Sequence, residues 1–123
     1  MKVLILMKMN ENAAGAAPPS NDDMIAMHNY NEALKAAGIL KEELMGGLLP
    51  SKFAKRLNVS GKTKSFTVTD GPFTETKEVV AGFAMWEVKS LDEALEWAKK
   101  NPVFMDCTVE LRPLFSPETW DPK

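Results

Sequence analysis

The sequence predicts an α+β fold of the split βαβ kind, and three observations carry that expectation. A run of apolar, largely branched residues from Val3 to Met9 is too short for a helix and suits a buried strand. Two segments each open with a serine that has an acid three residues on, Ser20 with Asp23 and Ser90 with Glu93, and each continues with apolar residues at helical spacing. The remaining stretches alternate their apolar residues as strands do, so the order reads strand, helix, strands, strand, helix, strand.

Residues 10–19 mix Asn, Ala and Gly with two prolines, a composition that breaks regular structure and makes an exposed connection. The Ser20 hydroxyl can then accept a free backbone N–H, and Asp23 lies at the positive end of the helix dipole, so a helix starts there and runs to about Ala37. Met27, Tyr30, Leu34 and Ala37 give it a buried stripe, and Gly38 supplies the left-handed residue that ends such helices. Ile39 to Leu49, with Gly46-Gly47, reads as a strand with a bend stopped by Pro50. Phe53 to Val59 and Lys64 to Thr69 flank Ser60-Gly61 and alternate, which predicts a β-hairpin with Phe66 and Val68 facing the core.

Gly82 to Val88 forms the next strand, and the Ser90/Glu93 capping box opens a second helix through Lys100 whose buried stripe is Leu91, Ala94, Leu95 and Ala98. Asn101-Pro102 stops it. In the last strand Met105, Cys107, Val109 and Leu111 alternate with Asp106, Thr108, Glu110 and Arg112. The whole is a ferredoxin-like antiparallel sheet with two helices on one face and an added hairpin. Yet Val3, Ile5 and Met7 on one side of the first strand face Leu4 and Leu6 on the other, and Phe83 and Met85 oppose Ala84, Trp86 and Val88. Both faces call for burial, two helices cover one, and a homodimer is the expected solution for the other.

With 123 residues the chain has the size of one domain, spanning 1–123, and 45% hydrophobic against 26% charged residues is an ordinary globular balance. A net charge of -2 offers no strong attraction to nucleic acid or anionic lipid, so neither a direct nucleic-acid partner nor a membrane is expected. Lys52, Lys55, Arg56, Lys62 and Lys64 cluster, and strand alternation makes them the solvated side of the hairpin. The single Cys107 cannot form an internal disulfide, and the opening apolar run is too short for a secretory leader, which points to the cytoplasm. No apolar stretch approaches the roughly 20 residues that cross a bilayer.

The most distinctive local feature is Asp70-Gly71-Pro72-Phe73. Pro72 fixes its own φ, donates no hydrogen bond and drives Gly71 towards extended backbone, so the chain leaves a strand by a sharp, rigid exit. Asp70 is placed to accept backbone N–H groups across that turn, and Phe73 to anchor it in the core. The run Thr69-Asp70-Gly71-Pro72-Phe73-Thr74-Glu75-Thr76-Lys77-Glu78, with Ala81-Gly82-Phe83, resembles the signature of the DGPF branch of YCII-related proteins. The likeness extends to Asn31 through Leu40, Leu91 through Ala98 and Val109 through Pro113. It implies a ferredoxin-like fold assembled as a dimeric α+β barrel. The fold group includes small-molecule isomerases, monooxygenases and degradative enzymes, while some members of the branch accompany or are fused to sigma factors. The resemblance therefore implies a small-molecule-binding or enzyme-like barrel, with a non-catalytic regulatory or interaction module of sigma-factor-dependent transcription as the alternative.

Candidate chemistry is sparse. His28 is the only histidine, and imidazole is the group best suited to proton transfer near neutrality, which makes it the first acid/base candidate; at the edge of the first helix's stripe it can border a cleft or bond to Glu32 one turn on. In the wider YCII-related group that this chain resembles, a histidine on the first helix goes with an Asp-Pro dipeptide after the second; here Asn101-Pro102 stands there, so the candidate carboxylate partner is Asp70 or another carboxylate that the fold brings near. Met7, Phe73, Met85, Trp86 and Met105 are candidates to line a cavity for a small apolar or aromatic metabolite. Cys107 falls on the apolar side of its strand and reads as a packed thiol. One His and one Cys without paired spacing make no zinc site, and Gly46-Gly47 is too short for a phosphate loop, so no metal or cofactor is expected.

Overall fold

A computed structural model describes residues 1–10, 20–73, 78–102 and 106–116, the side chains of 41–43 excepted. The most apolar strands take the middle of the sheet, where both edges are paired and both backbone ladders are satisfied. Strand β1 (Lys2–Met9) runs antiparallel to β5 (Val79–Glu87), with Val3 opposite Trp86 and Ile5 opposite Ala84. Its other edge takes β6 (Thr108–Pro113), with Ile5 opposite Leu111 and Met7 opposite Val109. Strand β2 (Leu40–Gly47) lies outside β5, giving the order β2-β5-β1-β6. This is the ferredoxin-like plan expected, each βαβ unit being split by a strand of the other.

Helix α1 (Asn21–Ala36) starts as its sequence dictates: the Ser20 hydroxyl accepts the Asp23 N–H at 3.1 Å, and the Asp23 carboxylate accepts the Ser20 N–H at 3.4 Å. It ends through Gly38, held at φ 74° where a side chain would be strained. Helix α2 (Leu91–Ala98) is capped by Ser90, whose hydroxyl accepts the Glu93 N–H at 3.1 Å; the returning Glu93 carboxylate takes the Lys89 N–H instead of the Ser90 N–H. The expected stripe of α2 is corrected by a rotation. Ala94, Trp97 and Ala98 face the core, and Leu91 and Leu95 are exposed, because turning the Trp97 ring inward buries more apolar surface than the two leucines would on so short a helix. No helix among the described residues is long and apolar enough to cross a membrane.

Val3, Ile5, Leu34, Ile39, Leu40, Trp86, Val88 and Ala94 form the core, all on the side of the sheet that the helices cover. Tyr30 ties the two helices together by donating its hydroxyl to the carbonyl of Trp97. Leu4 and Leu6, opposite Met85 and Phe83, belong to the other side, which carries no helix among the described residues. Cys107 is corrected too: it precedes β6 and is exposed, since the strand begins at Thr108 and its inward positions are Val109 and Leu111. Residues 11–19 of the expected connection, residues 74–77 and Met105 lie outside the described residues.

The hairpin forms where its alternation placed it, but in a sheet of its own. Strands β3 (Lys55–Ser60) and β4 (Ser65–Asp70) pair with each other alone, Leu57 opposite Val68 and Val59 opposite Phe66. Phe66 and Val68 therefore do not face the core; they are 69% and 59% exposed, because the four-stranded sheet that holds the core does not include them.

The Asp-Gly-Pro-Phe turn closes the foot of this hairpin. A single 3-10 turn at Ser51–Phe53 lies against it, Gly71 N–H donates to the Ala54 carbonyl at 2.9 Å, and Phe73 N–H donates to the buried Ser51 hydroxyl at 3.0 Å. The Phe73 ring is 7% exposed, and the Arg56 guanidinium lies 3.6 Å above its centre. The Gly71-Pro72 peptide is cis. Asp70 does not accept across the turn as expected: its carboxylate takes the Lys55 ammonium at 2.6 Å, at the open surface.

Two outcomes follow. A Cβ on Gly71 would fall 1.7 Å from the Ser51 carbonyl oxygen, which is backbone and cannot give way. Gly71→Ala is expected to cost about 3 kcal/mol or more, read as a lowered denaturation midpoint in urea, with Gly61→Ala, where a Cβ meets open space, as the near-neutral control. Burial raises the Tyr30 hydroxyl from 10.0 to about 12. Its folded pKa exceeds its unfolded one, so its contribution is complete below about pH 10 and is lost as pH rises from there through about pH 12. The stability gap between the wild type and Tyr30→Phe, about 1 kcal/mol at neutrality, is expected to shrink over that range in urea titrations.

Candidate functional site

The helix α1 that covers the sheet does so unevenly. Its C-terminal half packs Leu34 into the core, while its N-terminal half stands off the sheet and leaves a cleft of about 580 Å³. Asp23, Met24, Met27, His28 and Asn31 line one wall, Ile5 and Met7 of β1 the floor, Met45 to Gly47 of β2 and Ala81 to Phe83 of β5 the side, and Asn101 the far end. Positions 23, 24, 27, 28 and 31 share one helix face by the three- and four-residue rule, so the wall is a second stripe beside the core stripe. Gly82, opposite Met7, keeps the side wall low: a Cβ there would lie 3.3 Å from the Gly46 carbonyl oxygen.

Among the described residues most of this lining is apolar and four are methionines, whose flexible thioethers adapt to varied ligand shapes. The polar groups are few: Asp23, His28, Asn31 and Asn101. Asp23 doubles as the helix cap, so its position is set by the same bond that starts α1. His28 is exposed at the cleft wall, and the Glu32 carboxylate one turn on bonds to Lys35 at 3.3 Å. Asn101 is held at the end of α2 by its N–H donating to the Ala98 carbonyl. A smaller void of about 80 Å³ continues inward between α1 and the sheet, sharing Ile5, Met7, Met27, Asn31 and Asn101 with the cleft and reaching Tyr30, Leu34 and Trp86. Trp86 is buried with its indole Nε1 unpartnered.

The structure brings some of the sequence candidates together and separates others. His28 and Met7 line the cleft, and Trp86 lines the void behind it. Met85 lies on β5 opposite Leu4, on the side of the sheet away from the core. Phe73 lines a different cavity of about 640 Å³ between the hairpin base and β5, with Arg56, Glu78 and Val80. Asp70, bonded to Lys55 at the foot of the hairpin, is not among the residues of the cleft. In its place the cleft offers Asp23 as carboxylate and Asn101 as amide. Met24 and Asn31 carried a signal that helical spacing from His28 could have found, and Asn101 was marked by the resemblance; Met45 to Gly47 meet the histidine only through the fold. No three of the His, Cys, Asp and Glu side chains converge as a metal site requires among the described residues.

What this arrangement can do chemically is bounded by its groups. An apolar cleft binds by removing apolar surface from water, its few polar groups fix orientation, and the imidazole can give or take one proton at the mouth. The family model described as the YCII-related domain matches residues 1–118. The chain is also 43% identical over 70 residues to an uncharacterised protein of Rhizobium meliloti (strain 1021), a stretch that covers 54% of each of the two chains. The chain thus spans about half the length of the curated relative it matches.

Proposed function

This chain belongs to the YCII-related domain family, and from that premise we propose that it binds a small, largely apolar or aromatic metabolite in the cleft under α1, with His28 as the group that exchanges a proton with it. One observation carries the reading: His28 and Asn101, 73 positions apart in sequence, border the same methionine-lined cleft of about 580 Å³. That volume lies in the range of about 300–1,000 Å³ typical of small-molecule sites. Asn101 cannot ionise, so it serves as a hydrogen-bonding anchor for a polar end of the ligand, and any acid–base step rests on His28. Asp70 has no part in this reading, its carboxylate being engaged by Lys55.

The protein is further proposed to be a cytoplasmic homodimer that covers the helix-free side of its sheet, where Leu4, Leu6 and Met85 lie. A reducing compartment suits its exposed Cys107 thiol.

A thermal-shift screen against a broad panel of small metabolites tests the site, since a ligand at about 100 times its Kd adds about 2.7 kcal/mol to the folded state. A shift in the wild type that falls by more than half in both His28→Ala and Asn101→Ala is expected; an equal shift in all three proteins removes the cleft from consideration, and silence across the panel favours the regulatory alternative. Light scattering at micromolar concentration should return the mass of two chains, and a monomer would refute the dimer.

A further inference from the structure

The β3–β4 hairpin is built with one wet side and one dry side, and among the described residues nothing covers the dry side. Directly opposed residues of an antiparallel pair share a face, so Leu57 with Val68 and Val59 with Phe66 make a ladder of four apolar side chains. They are 58%, 59%, 63% and 69% exposed in that order. The other face carries Arg56, Asn58 and Ser60 opposite Thr69, Thr67 and Ser65, with the Asn58 amide bonded to the Thr67 carbonyl and the Thr69 hydroxyl. The alternation is therefore that of a half-buried strand pair, while a two-stranded sheet in water is marginal without a surface to cover it. The clasp at Ser51, Gly71 and Phe73 ties the two ends of the hairpin's foot to each other. It leaves the ladder facing out.

We infer that this hairpin is a docking arm whose apolar ladder packs against the body of a second copy of the chain. Charge selects that occupant. Over residues 51–70, Lys52, Lys55, Arg56, Lys62 and Lys64 stand against Asp70, a net charge of +4 in a chain whose total is -2, so the rest of the chain carries -6. An arm of one sign on a body of the other is drawn to a second body, and under twofold symmetry each copy covers the other's ladder. A polyanionic surface such as nucleic acid or anionic lipid would attract the arm but repel the body, which holds more charge. The inference rests on the homodimer proposed above and adds to it an element outside the four-stranded sheet.

The test is sedimentation equilibrium on the full chain and on the double variant Phe66→Ser with Val68→Ser, whose exposed sites leave the fold intact, as far-UV circular dichroism would confirm. The variant's dimer dissociation constant is expected to rise about a hundredfold, and that of the wild type to rise several-fold between about 0.05 M and 0.5 M NaCl, a dependence that Lys62→Glu with Lys64→Glu removes. A wild-type dimer whose dissociation constant is unchanged in the Phe66 and Val68 variant overturns the arm and leaves the sheet-mediated dimer standing. A wild-type monomer overturns both. Flotation of the wild type, and not of the variant, with phosphatidylserine vesicles would assign the ladder to a lipid surface and overturn the inference as well.

Discussion

The structure depends on the alternation of one strand. β1 has a neighbour on each edge, and its odd positions Val3 and Ile5 are buried against Trp86, Ala84 and Leu111 under the helices. Its even positions point to the side that no helix reaches. Slipping this register by one residue would send Val3 and Ile5 to that side and Lys2 into the core, which a buried charge forbids. Once β1 is set, β5 and β6 have only one useful register against it, and the two helices have only one face to cover. The cleft is a by-product of the same constraint: the helix is pinned to the sheet by Leu34 and Tyr30 near its end, and the stretch nearer its cap spans a strip of sheet kept low by Gly82.

Much of this was legible in the amino-acid order because the signals were local. Ser20 with Asp23, Gly38, Ser90 and the branched run of β1 each state a backbone preference that tertiary structure had no reason to override. What misled was the step from periodicity to burial. Phe66 and Val68 alternate as core residues do, and they share a common side with Leu57 and Val59 as the alternation says. Alternation identifies a face; it does not say what lies over it. Leu91 and Leu95 failed for a related reason, since Trp97 competes for the inward position with more apolar area than either.

The site was half legible. His28 stood out as a lone imidazole on an amphipathic helix, and the pairing of that helix with the segment after α2 emerged in the fold as one cleft. Asp70 stood out because it sits in a conspicuous turn, but conspicuous sequence and functional position are different things. That turn is accounted for by packing: a glycine where backbone meets backbone, a phenylalanine under a guanidinium, and a carboxylate on a neighbouring ammonium. The methionines divided for the same reason strands divide, Met7 to the cleft and Met85 to the far side.

The contact between Gly71 and the Ser51 carbonyl has one more consequence, which concerns what the chain is free to vary. The two ends of the segment from 51 to 73 are joined to each other, the Gly71 N–H donating to the Ala54 carbonyl and the Phe73 N–H to the Ser51 hydroxyl. Everything between is a closed loop on a fixed neck. Residues at its tip, such as Gly61 in open space, can be inserted, removed or exchanged without the neck registering the change. The neck itself admits no such freedom, since a side chain at Gly71 would meet a backbone carbonyl that any residue at position 51 carries. The reach of the hairpin's tip can thus change while its neck stays put, so one unvarying frame can carry arms of differing length.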